Sequence, residues 1–224
     1  MRTYPVPASY GQEAEHRGEV VRIDYRTRDY AEGTGAARTN TAYVYLPYGY
    51  DEHPDRRYNV LYFVHGHYGT ASTTFEAENG LLRKLLDHMT ENGDMAPTIV
   101  VSPSYNYGQP TANYADADPY CEALPEELVN DLIPIVESRY RTYAESTDAA
   151  GLEASRGHRA IGGFSMGAVT TWYALEHTLS CFKYFMPVSA DCWSLGRFAG
   201  MNRPDETALY LADIVSRSPY TGNG

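Results

Sequence analysis

The chain has 224 residues, with 18 Lys+Arg against 29 Asp+Glu, so its formal net charge at pH 7 is −11. Hydrophobic residues make up 43% and charged residues 21%, a composition typical of a globular protein with a substantial core. The negative charge argues against nucleic acid or an anionic membrane surface as a partner, and no apolar run approaches the ~18 residues that a membrane-spanning helix needs.

Six segments have the patterns of β-strands. Residues 19–25 and 41–46 alternate between apolar and polar, which indicates half-buried strands near a sheet edge. Short apolar runs typical of buried strands lie at 60–64, 99–102, 160–164 and 184–188. Because helical patterns separate these runs, the sequence predicts an α/β fold with a mostly parallel central sheet. We find no repeat or linker, so we expect residues 1–224 to form a single domain.

Three segments place apolar residues at helical spacing. They predict helices over 80–92, 125–140 and 166–177. The stretch 104–120, rich in Tyr, Asn, Pro and Gly, predicts a long surface loop, and loops of that length in compact domains are usually functional. A more polar connection is expected over 142–157.

The three cysteines, Cys121, Cys181 and Cys192, are an odd number without CxxC spacing. This pattern favours small buried residues over a metal site or a disulfide framework. A bridge between Cys181 and Cys192 stays open, since geometry decides whether two cysteines can pair.

The pentapeptide GFSMG at 163–167 matches the pattern G-x-S-x-G. It follows the predicted buried strand 160–164 and begins the helix 166–177, which is the strand–turn–helix context of a nucleophile elbow. Such a turn lifts the serine hydroxyl to the carboxyl end of the sheet and directs a helix N-terminus at the developing oxyanion. The sequence therefore predicts Ser165 as the nucleophile of acyl transfer, with a plain glycine-rich turn as the alternative.

A second element is the apolar strand that ends in HGHYG at 65–69. In α/β hydrolases the loop after this strand supplies one oxyanion-hole N–H, and the residue after the nucleophile supplies the other. These donors would be the backbone amides of His67 and Met166. Metal binding by the pair His65 and His67 is the alternative, but no further ligand cluster is within reach in the sequence.

Several blocks of the chain resemble the feruloyl esterase modules of carbohydrate esterase family one, above all those attached to clostridial xylanases. The blocks are VYLPYGYD at 44–51, the HG loop, VESRY at 136–140, TYAEST at 142–147, HR at 158–159 before the elbow, TWY at 171–173 and YFMPVS at 184–189. The resemblance runs from about residue 19 to residue 193. It implies an α/β-hydrolase fold with helices on both sheet faces and hydrolysis of hydroxycinnamate esters of arabinoxylan. Composition and spacing alone support only a serine esterase.

The resemblance also implies partners, cofactors and a compartment. The partner would be a plant cell-wall polysaccharide or a feruloylated oligosaccharide, and an acyl-enzyme on Ser165 needs no metal or organic cofactor. An extracellular setting is implied, although the segment MRTYPVPASYGQEAEHRGE has no apolar signal-peptide core.

The acid and the histidine of a triad are harder to place. His177 lies 12 residues along the helix from Ser165, roughly 18 Å away at 1.5 Å per residue. His158 begins the strand that ends at the elbow, so it lies about 23 Å away, at the other end of the sheet. Asp191 follows the next strand and could approach the site, but the resemblance puts both acid and base after further strands.

We therefore expect the fold to be incomplete at its C-terminal side, with the triad's acid and base outside these residues. The 224 residues alone would then hydrolyse esters very poorly, since losing triad members costs several orders of magnitude. If the chain were active, His65 and His67 would be the first candidates for the base.

A hydroxycinnamate ring needs an apolar pocket with few polar groups. We expect Trp193 to contact the ring, with Asp191 or Cys192 beside it, although a core role for Trp193 is equally open. Loop tyrosines that could flank the leaving sugar are Tyr105, Tyr107 and Tyr114.

Two other functions remain open. An acetyl xylan esterase would use the same machinery with a smaller pocket. A catalytically inactive carbohydrate- or phenolic-binding module would explain the absent histidine.

Overall fold

A mixed β-sheet organises residues 5–220, the part of the chain that this computed structural model describes. Its strands are β1 (Glu19–Arg28), β2 (Ala37–Leu46), β3 (Asn59–Val64), β4 (Thr98–Ser102), β5 (Arg159–Phe164) and β6 (Tyr184–Val188). The spatial order is β1-β2-β4-β3-β5-β6. The pairs β1–β2 and β2–β4 are antiparallel, whereas β4, β3, β5 and β6 run parallel to one another. All the predicted strands and the mostly parallel sheet are confirmed.

Helices lie on both faces of the sheet. They are α1 (Thr73–Glu91), α2 (Tyr114–Glu127), α3 (Ile133–Arg139), α4 (Ala149–Ala154), α5 (Met166–His177), α6 (Ala199–Asn202) and α7 (Pro204–Arg217). One face of β3, including Val60, Tyr62 and Val64, packs into a large core with α2, α3 and α5. The opposite face, including Leu61 and Phe63, packs towards α1. Within residues 5–220 no helix is both long and apolar enough to cross a membrane.

The region between β4 and β5 differs from the prediction. The helix expected over 125–140 begins at Tyr114 instead, so the predicted loop 104–120 is much shorter than expected. Asn113 caps the helix by accepting a hydrogen bond from the Asp116 amide at 3.0 Å. After α2 a π-helical turn, Leu128–Leu132, leads directly into α3. The prolines inside α2, Pro119 and Pro125, hid this helix from sequence reasoning, because proline usually ends a helix.

Three further helices, α4, α6 and α7, were not predicted. Helix α4 interrupts the polar connection 142–157, where Asp148 accepts a hydrogen bond from the Gly151 amide at 2.8 Å. Helix α7 begins at Pro204, a residue well suited to a first helical turn because it lacks only an N–H that would be unpaired there.

The apolar face of β5 and β6 next to α1 is uncovered in the described part of the chain. Phe164 pairs in register with Val188, and both side chains point to this face, 52% and 41% exposed. Tyr184 and Met186 on the same face of β6 are 53% and 46% exposed. Parallel strands are normally buried on both faces, so this surface is unusual for the sheet that carries it.

A buried ion pair anchors the amino end of β5. Arg159 is 1% exposed, and its guanidinium donates to both carboxylate oxygens of Glu137 at 2.5 and 2.7 Å. Arg159 also donates to the carbonyls of Leu152 and Cys181 and to the Ser155 hydroxyl. Every polar atom of this cluster therefore has a partner, which is the condition under which a buried charge is tolerated.

We expect Arg159→Met to lower the free energy of unfolding by about 3–5 kcal/mol, because it leaves the Glu137 carboxylate buried and unpaired. Urea unfolding measures the change. The matched control is Arg217→Met, which removes an exposed ion pair with Asp213 and should cost less than about 1 kcal/mol. Equal losses in the two variants would contradict the assignment of a stabilising role to the buried pair.

Candidate active site

Ser165 occupies a strained turn between β5 and α5. Its backbone angles are φ 55° and ψ −117°, in a region that non-glycine residues rarely adopt. Its N–H donates to the Val188 carbonyl of β6 at 3.0 Å, and its own carbonyl accepts from Ala168 and Val169 in α5 at 2.8 and 3.1 Å. The predicted strand–turn–helix geometry is therefore present at Ser165.

The two glycines of the pentapeptide allow this turn because α5 begins in close contact with β3. A Cβ atom on Gly167 would lie 2.1 Å from the Val64 carbonyl oxygen. A Cβ atom on Gly163 would lie 2.5 Å from the Gly167 carbonyl carbon and 2.7 Å from the Val64 oxygen. Backbone atoms cannot yield as a flexible side chain does, so only glycine fits at either position.

The loop after β3, residues 65–69, approaches the serine closely. A Cβ atom on Gly66 would lie 3.5 Å from the Ser165 Cβ and 3.4 Å from the Phe164 carbonyl oxygen. The backbone N–H of His67 donates no hydrogen bond to any atom of residues 5–220. The Met166 N–H is the first of α5 and so has no intrahelical acceptor. The site thus brings together a serine and two unpaired amides, as an oxyanion hole requires.

No histidine in the described chain is hydrogen-bonded to the Ser165 hydroxyl, which itself makes no hydrogen bond within residues 5–220. The His65 ring is bonded to Gly66 and Ser104. Both ring nitrogens of His67 are buried without a partner. His158 bonds to Asn59 at the start of β3, at the end of the sheet opposite the elbow. Within residues 5–220 the Ser165 hydroxyl therefore has no histidine hydrogen-bonded to it.

Trp193 and Asp191 interact with each other after β6. Trp193 is 3% exposed, and its indole N–H donates to the Asp191 carboxylate at 2.9 Å. The second carboxylate oxygen of Asp191 accepts from the Met201 amide at 2.9 Å. Asp191 therefore holds the indole in place, and both of its oxygens are already occupied.

A row of aromatic rings connects Trp193 to the loop after β3. The Tyr114 ring lies 6.4 Å from the Trp193 ring and 4.8 Å from the His67 ring, edge to face in both cases. The Phe198 ring lies 4.8 Å from the Trp193 ring. Tyr114 and Phe198 are 48% and 37% exposed, so they present apolar surface, and each of them contacts the buried Trp193 ring.

Tyr105 does not lie where a sugar-binding residue was expected. It is 2% exposed, because its ring stacks on the His65 ring at 4.6 Å and its hydroxyl donates to the Gly66 carbonyl at 3.2 Å. A substrate cannot reach a side chain buried in this way, so the prediction of direct sugar contact is wrong. The sequence SYN at 104–106, directly after a buried parallel strand, was the available signal for a residue that supports the site.

The cysteines are buried and unpaired. Cys121, Cys181 and Cys192 are all free, which confirms the prediction of small buried residues. Cys192 donates to the Ser194 hydroxyl at 3.3 Å. Burial raises the pKa of the Cys181 thiol, which lies in the core near Arg159.

Comparison with known proteins identifies the family of the chain. The family model described as "Putative esterase" matches residues 35–205, which include both the HG loop and the serine turn. The chain belongs to this esterase family. It is 39% identical to endo-1,4-beta-xylanase Y of Acetivibrio thermocellus over 214 residues, which are 96% of this chain and 18% of that protein. It is 28% identical to the endo-1,4-beta-xylanase/feruloyl esterase of Xylanibacter ruminicola, over 73% of this chain and 20% of that protein.

A solved structure extends the resemblance to the fold. The esterase matches a mutant of the feruloyl esterase module from Clostridium thermocellum complexed with sinapinate, with a TM-score of 0.80 and 37% identity. The match covers 97% of this chain and 68% of that chain. The chain spans about a fifth of the length of the curated relatives that it matches. The expected α/β-hydrolase-like fold and the resemblance to feruloyl esterase modules are confirmed.

We expect Gly167→Ala to destabilise the esterase by roughly 1–3 kcal/mol or more, because its new methyl group would collide with the β3 backbone. Thermal or urea unfolding measures this. The control is Gly157→Ala, where a Cβ atom meets nothing within 4 Å; it should change stability by less than about 1 kcal/mol. If Gly167→Ala left the stability unchanged, this would contradict the close packing of α5 on β3.

His65 should make the stability of the fold depend on pH. Burial lowers the pKa of His65 from 6.5 to about 4. As the pH falls below 6.5, the His65 side chain binds a proton in the unfolded chain but not in the folded one. The contribution of His65 to the free energy of unfolding is therefore fully present above pH 6.5 and is lost progressively towards pH 4. Relative to His65→Asn, we expect the native protein to lose roughly 2–3 kcal/mol of unfolding free energy between about pH 7.5 and about pH 4.5. Parallel pH profiles of the two proteins would contradict this.

Proposed function

We propose that this esterase hydrolyses hydroxycinnamate esters, such as feruloyl groups on plant cell-wall arabinoxylan, through an acyl-enzyme on Ser165. The observation that carries the proposal is the strained Ser165 turn beside two unpaired backbone amides. The relatives are named as xylanases and as a feruloyl esterase, and the matched module was solved with sinapinate, itself a hydroxycinnamate. These names support a phenolic ester as the substrate class.

The proposed chemistry follows from the positions of these groups. The Ser165 oxygen attacks the ester carbonyl carbon while a base removes its proton, and the carbonyl π electrons move onto the oxygen. The amides of His67 and Met166 stabilise this oxyanion, each by roughly 3 kcal/mol. Collapse of the tetrahedral intermediate breaks the bond to the sugar oxygen, which takes the proton. Water then attacks the acyl-enzyme in the same way, which releases the hydroxycinnamate and restores the serine.

We place the base and its orienting acid on polypeptide outside residues 1–224. No described histidine is hydrogen-bonded to Ser165. The uncovered face of Phe164, Tyr184, Met186 and Val188 lies next to the serine turn, at the open edge of the sheet. A further strand against β6 and a helix beside α1 would bury this apolar surface. Such elements would bring their own loops to the carboxyl edge, where Ser165 lies.

For the aromatic part of the substrate we propose the surface formed by Tyr114 and Phe198, with Trp193 beneath them. Ring contacts connect these side chains to His67 in the loop after β3, and Tyr114 and Phe198 are partly exposed. Flat rings pack well edge to face on such a surface. Asp191 acts by holding the indole of Trp193. An acetyl group is too small to use this surface. The surface therefore favours a hydroxycinnamate ester as the substrate over the acetyl ester that an acetyl xylan esterase would cleave.

The test uses the natural full-length polypeptide that contains this chain. We expect hydrolysis of methyl ferulate, and Ser165→Ala should reduce kcat by at least roughly 10³-fold, as expected for loss of a catalytic serine. Liquid chromatography of released ferulate measures the rate. Ser72→Ala, at the start of α1, is the control and should leave the rate within twofold.

Three outcomes would count against the proposal. Faster release of acetate from acetylated xylan than of ferulate would favour the acetyl xylan esterase. Binding of feruloylated oligosaccharide with neither turnover nor labelling of Ser165 by a fluorophosphonate would favour an inactive binding module. Full activity of residues 1–224 alone would overturn the placement of the base on other polypeptide.

A further inference from the structure

The carbonyl of Gly66 and the N–H of His67 belong to the same peptide group. A trans peptide is planar, and its C=O and N–H point in opposite directions; none of the described peptide bonds is cis. Whatever fixes the direction of the Gly66 carbonyl therefore also fixes the direction of the His67 N–H. That N–H is the proposed oxyanion donor contributed by the loop after β3.

Side chains from two elements hold this carbonyl. The His65 ring lies with Nδ1 2.8 Å from the Gly66 oxygen, and the Tyr105 hydroxyl donates to the same oxygen at 3.2 Å. Since a carbonyl oxygen only accepts, Nδ1 carries the proton of the His65 ring. The Gly69 amide also donates to this oxygen, at 3.2 Å, and closes the turn. Three donors therefore surround this one carbonyl oxygen: the His65 ring, the Tyr105 hydroxyl and the Gly69 amide.

The two side chains are themselves held rigidly. The His65 and Tyr105 rings stack at 4.6 Å, and they are 4% and 2% exposed. The His65 Nε2 lies 3.1 Å from the Ser104 hydroxyl oxygen. A Cβ atom on Gly69 would lie 2.9 Å from the His65 Nδ1, so the loop wraps tightly around the ring. Burial, stacking and hydrogen bonds therefore restrain both side chains.

A further contact ties the end of the loop to the same segment after β4. The Ser104 hydroxyl lies 2.6 Å from the Asn106 side-chain oxygen, and the Asn106 amide group donates to the Gly69 carbonyl at 2.9 Å. Residues 104–106 therefore hold both ends of the segment Gly66–Gly69. This segment is also the one whose Gly66 lies against Ser165.

We propose that His65 and Tyr105 are positioning residues, which direct the His67 N–H at the oxyanion by holding the Gly66 carbonyl on the opposite side of the peptide. The inference rests on the proposed function. Neither residue touches the substrate in this role; both act through the backbone. Alignment of the donor before the reaction is what makes an oxyanion hole effective, because no reorganisation is then needed in the transition state.

The protonation states suit this role over a wide pH range. Burial lowers the pKa of His65 to about 4, which keeps its ring neutral with a single proton. Burial raises the pKa of the Tyr105 phenol well above its usual range, which keeps its hydroxyl a donor. The titratable group that faces His65 across its ring is Tyr105. Among the described residues, no carboxylate or cationic side chain is hydrogen-bonded to either of them.

The decisive variant is Tyr105→Phe in the natural full-length polypeptide, because it keeps the ring stacked on His65 and removes only the hydroxyl. We expect kcat for methyl ferulate to fall roughly tenfold, less than the 10²–10³ for outright loss of an oxyanion donor, with KM within about twofold of the native value. The affinity for phenylboronic acid, which forms a tetrahedral adduct with a serine, should fall by a similar factor. Binding of free ferulate should be unchanged.

A second pair of variants tests His65. Asparagine can place its amide N–H near the position of Nδ1, whereas leucine cannot donate. We therefore expect His65→Asn to retain at least about tenfold more kcat than His65→Leu, in line with the cost of a misaligned donor. Thermal unfolding of both variants shows whether each is folded at the assay temperature.

The matched control is Tyr62→Phe, which also removes a buried phenolic hydroxyl but one that donates to Glu137. It should leave kcat and the boronic acid affinity within twofold.

The inference is overturned if Tyr105→Phe behaves like the native protein, if Tyr62→Phe shows the same loss, or if Tyr105→Phe weakens ferulate binding as much as it lowers kcat. If Ser165→Ala retains turnover, the proposed function fails and this inference fails with it. If Ser165→Ala abolishes turnover while Tyr105→Phe does not reduce it, the inference alone fails.

Discussion

Close backbone contact between the start of α5 and β3 determines the geometry of this esterase. With glycine at 163 and 167, the helix begins so near the Val64 carbonyl that a single methyl group would not fit. The chain must leave β5 and enter α5 within one residue, and Ser165 takes up the resulting strain at φ 55°. The hydrogen bond from its N–H to Val188 fixes the same residue to β6. Three neighbouring strands therefore define the position of one hydroxyl.

The two ends of the parallel strands carry different groups of residues. Their carboxyl ends bring together the loop after β3, the segment 104–106 after β4, the serine turn after β5 and the Asp191–Trp193 pair after β6. The amino end of β5 carries the buried pair of Arg159 and Glu137 instead. This cluster ties β5 to α3 by fully paired charges, so it stabilises the strand that presents the serine without taking part in the chemistry.

The sheet is unequally covered on its two faces. One face is buried by α2, α3 and α5, whereas the other is covered by α1 only over part of its width. The side chains left exposed on β5 and β6 are apolar, and they lie beside the serine turn. The same part of the molecule therefore has an unburied apolar surface and the proposed nucleophile, to which no described histidine is hydrogen-bonded. The proposal that other polypeptide supplies the base rests on both of these features.

The outcome for particular residues shows how far sequence reasoning reached. Two strands were predicted from the alternation of apolar and polar residues and four from short apolar runs, and the helix Met166–His177 was predicted from the helical pattern after the serine turn. The helix that begins at Tyr114 was missed because its prolines, Pro119 and Pro125, contradict helix in any local pattern. Tyr105 was expected in an exposed loop, and the structure buries it against His65.

By itself, the sequence determined the order of the strands along the chain, the serine turn and the two candidate oxyanion amides. These depend on local features: apolar period, glycine at fixed spacing and the strand that precedes each motif. Only the tertiary structure decided that Tyr105 and His65 hold the Gly66 carbonyl, that Asp191 holds Trp193, and that one sheet face is uncovered at β5 and β6. Each of these depends on which side chains meet across strands that are far apart in the chain, and no local pattern records such meetings.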